Sequence, residues 1–166
     1  MKVLKHLLIL AFVVLGLSSC STLVPRNATI SSKPDLSKYK YVYITPTTEK
    51  TSMSGGTFGD QNGVYGSAIS GTVNPADVIA GVFMKHGFIR LPEIGETQKE
   101  RTVIVNYGES GRTPYGLGSY AIEVTVQLLD AATYELICTS TAEGMGNTES
   151  DDVRKATLKC LEAVFN

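Results

Sequence analysis

Tyr120-Ala121-Ile122-Glu123-Val124-Thr125-Val126-Gln127-Leu128-Leu129 is the stretch on which the fold turns. Ile122, Val124, Val126 and Leu128 fall on one side of an extended chain, and Glu123, Thr125 and Gln127 on the other. Successive side chains of a strand alternate faces, so this period of two describes a strand with one face in a core and one in water. Asp130-Ala131-Ala132-Thr133 turns the chain into a second extended segment, Tyr134 to Ala142, and the pair makes a hairpin. A half-buried hairpin needs a layer on its apolar face. The C-terminal segment offers one. Thr148-Glu149-Ser150-Asp151 fits a capping box. Beyond it Val153, Ala156, Thr157, Cys160, Leu161 and Val164 share one helical face, with Lys155, Lys159 and Glu162 opposite.

Working toward the N-terminus, Thr102 to Tyr107 reads as another strand, followed by a glycine-rich loop from Gly108 to Ser119 with Tyr115 near its tip. Asn74-Pro75-Ala76-Asp77 starts a helix, with Asn as the cap, Pro at the first helical position and Asp in the first turn. Val78, Ile79, Val82 and Phe83 share its apolar face, and Gly87 after His86 ends it. Phe88 to Leu91 resumes extended. Tyr39 to Thr45, aromatic and β-branched, is the first strand. Between them Thr47 to Val73 carries Gly55, Gly56, Gly59, Gly63, Gly66 and Gly71, with Phe58 and Tyr65 as isolated aromatics, and is expected to be a loop. The expected fold is α+β with two layers, a mixed sheet of about five strands under two helices, in the order β-α-β-β-β-β-α.

The first twenty residues read as an address. Met1 to His6 is basic, Leu7 to Leu17 is apolar, and Leu17-Ser18-Ser19-Cys20 closes the segment. A basic start, a short apolar run and small residues before a cleavage point make a secretory signal. The run is shorter than the roughly 20 residues a spanning helix needs. Leu-Ser-Ser-Cys resembles the bacterial lipobox, whose cysteine is acylated and becomes the new N-terminus. Residues 1–19 are thus an expected signal peptide, 20–38 a lipidated cysteine with a flexible tether, and 39–166 one globular domain. Two or more acyl chains hold a protein stably on a bilayer. Ser21, where aspartate often marks inner-membrane retention, favours the outer membrane, and with no acidic run after Cys20 the expected face is the periplasm.

Hairpin and helix together carry a resemblance. Val126-Gln127-Leu128-Leu129-Asp130-Ala131-Ala132-Thr133-Tyr134-Glu135-Leu136, an L-x-D-x-x-T-x-x-L hairpin, stands between a helix ending Lys85-His86-Gly87-Phe88 and a final helix ending in Phe165. With the strand around Tyr41-Val42-Tyr43-Ile44, this resembles a family of small uncharacterised envelope lipoproteins of Gram-negative bacteria. The wider fold resembles the TolB N-terminal domain and the lipoprotein activators of penicillin-binding proteins. Family members often carry Trp after the hairpin leucine; here Ile137-Cys138 follows, and the chain has no Trp. The resemblance implies an accessory or assembly role and brings no catalytic residues.

Composition narrows the chemistry. The chain has 15 basic and 16 acidic residues; losing Lys2 and Lys5 with residues 1–19 leaves 13 against 16. No basic patch points to nucleic acid. Beyond the signal there is one histidine, His86, at a helix end, where packing or capping explains it better than general-base work. No G-x-S-x-G elbow occurs, Gly116-Leu117-Gly118 is too short for a dinucleotide fingerprint, and the spacing of Cys138 and Cys160 does not resemble a zinc site. No cofactor or metal is expected, and the chain is not expected to be an enzyme. With Cys20 acylated, Cys138 and Cys160 remain as an even pair in an oxidising compartment; a disulfide and two buried free thiols both fit.

The two glycine-rich segments are the functional lead, because loops on a rigid scaffold carry most binding residues. Phe58, Tyr65 and Tyr115 are the candidates for contact with another envelope protein. An alternative is a small-ligand or glycan-binding module with the same segments as a lid. That reading asks for a concave apolar site with a few converging polar groups.

Overall fold

The computed structural model describes residues 24–60, 63–115 and 119–166. Cys20 and Gly116-Leu117-Gly118 lie outside the described residues. In chain order the elements are β1 (Thr29–Ile30), β2 (Tyr41–Ile44), β3 (Lys50–Asp60), β4 (Gly63–Val73), α1 (Pro75–Lys85) and β5 (Ile89–Leu91). They continue with a short 3-10 turn (Lys99–Arg101), β6 (Thr102–Pro114), β7 (Tyr120–Asp130), β8 (Leu136–Gly144) and α2 (Glu149–Phe165).

The fold is α+β. Six strands, one more than expected, form a mixed sheet in the order β1-β8-β7-β6-β2-β5. β1, β8, β7 and β6 pair antiparallel, whereas β2 runs parallel to both β6 and β5. The period-two reading of β7 holds: Ile122, Val124, Val126 and Leu128 are buried, with Val42, Ile44, Val103 and Val105 beside them. Against this face pack Ile79, Ala80 and Phe83 of α1 and Val153, Ala156, Cys160, Leu161 and Val164 of α2. Phe83 meets Phe88 and Phe165 edge-to-face, each at 5.1 Å, and closes the helix layer.

Both helix starts are capped as the residues require. Asn74 accepts from Ala76 N–H at 3.0 Å, and Thr148 accepts from Asp151 N–H at 3.2 Å. Gly87 takes φ +85°, the left-handed conformation that ends α1. The hairpin signature also has a physical reading. The Asp130 carboxylate accepts Ala132 and Thr133 N–H at 2.8 and 3.2 Å, which shapes the turn, and Thr133 Oγ1 accepts Glu135 N–H at 3.2 Å.

Three expectations are corrected. Residues 47–73 are not a loop: β3 and β4 pair over eleven positions, from Lys50 with Val73 to Asp60 with Gly63, as a separate two-stranded ribbon. The segment 108–119 is mostly strand, because β6 runs on to Pro114 through a bulge between Glu109 and Gly111. The described part of the expected tether, residues 24–38, is laid along the sheet edge. Thr29 and Ile30 pair with Thr141 and Ser140, and Ser31 N–H reaches Thr139 O at 2.9 Å.

Cys138 and Cys160 are free and buried. Cys160 Sγ donates to Val124 O at 3.4 Å, while Cys138 sits opposite Leu128. Burial pushes both thiols up to about 11.

Candidate functional site

Ribbon and long hairpin meet at one end of the molecule, over the first turn of α2. The joint is made of small hydroxyls. Ser52 Oγ of β3 accepts Ser150 N–H at 2.9 Å and also touches the Ser150 hydroxyl. Ser150 Oγ donates to Gly71 O of β4 at 2.6 Å. With Thr148 accepting Asp151 N–H in the same turn, the Ser150 and Asp151 donors at the start of α2 are taken, and the ribbon is fastened where the helix begins. At the other root, Thr47 Oγ1 donates to Asn74 Oδ1 at 2.6 Å and accepts Ala76 N–H at 3.0 Å.

A cavity of about 410 Å³ opens at this joint, lined by Ser52 from the ribbon, Ser119 and Tyr120 from the β6–β7 hairpin, and Asn147, Glu149 and Asp152 from the approach to α2. Both glycine-rich segments therefore contribute to one end of the sheet, which the strand order alone left undecided. Arg112 bridges the rim, pairing with Glu149 at 2.8 Å and lying over the Tyr120 ring at 4.8 Å. Asp152 is buried, and that burial raises its pKa against the opposing pull of the Gly146 N–H it accepts. Its carboxylate shapes the turn between β8 and α2.

Beside the cavity lies a cluster that sequence reasoning missed. Glu143 of β8 is 1% exposed. Its Oε2 accepts Arg26 N–H at 2.9 Å and the Tyr115 hydroxyl at 2.5 Å. Its Oε1 accepts Arg26 Nε–H at 2.9 Å and Thr113 Oγ1–H at 2.7 Å. Burial alone would raise this carboxyl, but the bonds from Tyr115, the Arg26 backbone, Thr113 and the Arg26 guanidinium prevail and hold it at about 2. Asp130, at the far end of β7, is a smaller copy: Lys38 at 2.7 Å and the Tyr39 hydroxyl at 2.9 Å reach its Oδ2. Lys38 first, against burial, and then Tyr39 and the turn N–H groups hold Asp130 at about 2.

The three aromatic candidates divide. Phe58 and Tyr65 are register partners two pairs from the ribbon's end. Tyr115 closes the β6–β7 tip, with its N–H on Ser119 O at 2.9 Å, and its hydroxyl is committed to Glu143. It is thus a structural residue of the cluster as well as a surface one. His86 stacks flat on Phe165, centroids 3.8 Å apart and planes 4° from parallel, which is packing. Among the described residues, no group of three or more His, Cys, Asp or Glu converges as metal ligands, and no helix is long and apolar enough to cross a membrane. A second cavity, about 430 Å³, lies on the face of the sheet away from the helices, lined by Tyr43, Ile94, Ile104, Leu129 and Tyr134 with Glu93 and Asn106.

No protein-family model and no curated protein sequence matches the chain. Solved structures do. The chain is similar to the PelC dodecamer from Paraburkholderia phytofirmans, at 15% identity and a TM-score of 0.49, over 84% of this chain and 98% of that one. A single-residue variant of that dodecamer matches at 14% identity and a TM-score of 0.50, over 85% of this chain and 98% of that one. At such identity the likeness is one of fold.

Proposed function

We propose that the chain is a non-enzymatic envelope lipoprotein, anchored through Cys20 and facing the periplasm, which engages another envelope protein through its two-hairpin end. The carrying observation is the ribbon. Among the described residues its eleven pairs join no other sheet, so each strand keeps one edge without a neighbouring strand. Natural sheets blunt such edges with charges, prolines or very short strands. Here residues 51–59 and 63–73 contain no charged residue and no proline. A two-stranded hairpin is by itself marginally stable and gains from a protein surface laid against it.

Photo-crosslinking in cells tests this, with the probe at Tyr65 and a control probe at Glu162, exposed on α2. A discrete heavier band from position 65 alone supports the reading, and the mass of that band shows whether the partner is a second copy or another protein. Equal, scattered products from both positions refute it.

The cavity on the open sheet face favours a second reading, a small-ligand or glycan module. Tyrosine rings beside Asn106 and Glu93 offer stacking and hydrogen bonding to a sugar. Titration of a labelled sample with soluble glycans separates the two: shifts confined to Tyr43, Ile104 and Asn106 favour the module, and their absence leaves the ribbon.

A further inference from the structure

The Glu143 cluster changes how the domain can stand on its membrane. A tether from Cys20 to residue 38 would span up to roughly 60 Å and let the domain face any direction. The structure uses most of that length otherwise. Arg26 is fastened to Glu143 by its backbone N–H and its guanidinium, and its carbonyl accepts Glu143 N–H at 3.4 Å. Arg26 Nη2 also donates to Thr113 Oγ1 at 3.3 Å, beside the β6–β7 tip. From there the segment runs along β8 toward the opposite end, through Thr29, Ile30 and Ser31, until Lys38 meets Asp130. From Cys20 to Arg26 the chain can reach at most roughly 21 Å.

The point of attachment is at one extreme of the molecule. β7 spans ten residue steps from Tyr120 to Asp130, about 33 Å, so the turn carrying Tyr134 lies that far from the hairpin end. A leash shorter than the domain, tied at the hairpin end, holds that end nearest the lipid. The surface around the attachment is exposed: Val24 is 64% exposed, and the Arg26 and Arg112 side chains, paired with Glu143 and Glu149, are 68% and 52% exposed.

We infer that the Arg26–Glu143 clasp turns the two-hairpin end toward the membrane surface, so that the partner engaged there is a protein embedded in that membrane. This rests on anchoring through Cys20 and on the hairpin end being the docking end. A partner diffusing free in the periplasm would be met as readily from any orientation. One embedded in the bilayer is met only from the membrane-facing side, and a short leash raises its effective concentration there.

The test uses the full lipidated chain in phosphatidylethanolamine–phosphatidylglycerol vesicles carrying an acceptor dye on the headgroup. A donor dye is placed in turn at Asn147, at the hairpin end, and at Tyr134, at the far turn. Energy transfer is expected to be clearly higher from Asn147. The difference is expected to disappear when about 20 Gly/Ser residues, a flexible chain, are inserted between Leu23 and Val24. Arg26→Ala should reduce it while leaving the fold intact. Failure of the chain to float with the vesicles overturns the anchoring itself, and the inference with it. Flotation with equal transfer from both positions, or a difference that survives the insertion, overturns the inference alone. A soluble protein recovered in the Tyr65 crosslink overturns its second half and leaves the partner-binding reading standing.

Discussion

Replacing Glu143 by Gln keeps the side chain's size and takes away one oxygen and the charge. Each carboxylate oxygen now serves an Arg26 N–H and a hydroxyl, Tyr115 on one side and Thr113 on the other. An amide satisfies one such pair. At the other its NH2 faces a hydroxyl, which can rotate to accept, and an Arg26 N–H, which cannot. The loss is close to one charge-assisted bond plus weakening of the rest, about 2–3 kcal/mol. Linkage gives an independent figure. A carboxyl held at about 2 from an ordinary 4.5 is worth at most about 3 kcal/mol above both values. Because the Arg26 side chain is 68% exposed, water screens part of that, leaving about 1–2 kcal/mol. The two routes meet near 2 kcal/mol. The assay is urea unfolding of wild type and Glu143→Gln, both with Cys20→Ser for solubility. The depressed pKa sets the sign: the contribution is complete above about pH 4.5 and is lost as pH falls through about 2. The gap should be full at pH 7 and narrow between pH 5 and pH 2. A gap below about 0.5 kcal/mol at pH 7, the level of an ordinary surface substitution, or one that does not change over that pH range, would refute the clasp as described.

Four further outcomes are expected. Gly144→Ala should destabilise by about 2 kcal/mol or more, measured by thermal unfolding, because the new Cβ would lie 1.9 Å from Asp152 O and 2.6 Å from Ala156 N, both backbone. Asp130→Asn should cost about 1–2 kcal/mol at pH 7, with the cost fading as acid removes the wild-type charge through about pH 2, since it loses the pairing with Lys38 and weakens the turn. In the same Cys20→Ser background Cys138 and Cys160 should be unreactive toward a thiol reagent at pH 8 and both react after unfolding, as burial and a pKa of about 11 require; rapid labelling of the native chain would contradict their placement. Ser52→Ala should loosen the ribbon's root by about 1 kcal/mol, seen as faster hydrogen exchange at Ser150 N–H with little change in global unfolding.

Legibility followed periodicity. β7 and α2 were read almost to the residue, and β8 to within two residues at each end, because each has one buried face, and burial writes its period into the side chains. The ribbon was missed for the opposite reason. Gly55 pairs with Ala68, Gly56 with Ser67 and Thr57 with Gly66, so small residues face small residues and no apolar alternation is available to read. Glycine is also depleted from strands, so propensity pointed the wrong way. β1 is two residues long and takes its order from the strand it lies on. Glu143 was invisible because its partners are remote: Arg26 is 117 residues away, Thr113 30 and Tyr115 28. No spacing rule connects them. The available signal was a lone acid within a run of small, strand-forming residues, and that signal does not name a partner.

The clasps and the ribbon bear on one question, where a partner strand could join this protein. A mixed sheet has two edges. One is β1, two residues long on β8, within an N-terminal segment that Arg26 and Lys38 tie down at opposite ends. The other is β5, three residues long, too short to template much pairing. Both edges are thus closed by covalently attached chain or by brevity. The ribbon is left with edges eleven residues long and without protective charge between its root and its tip. A fold that blunts two edges and leaves the longest one bare concentrates its capacity for strand addition there. The main-chain groups of β3 and β4 would supply the affinity of such a contact, and Phe58 and Tyr65 its specificity. On that reasoning Phe58→Ala with Tyr65→Ala should weaken a crosslink formed from a neighbouring ribbon position and leave the unfolding midpoint almost unmoved. A double variant that instead unfolds the domain would show that these rings belong to its core.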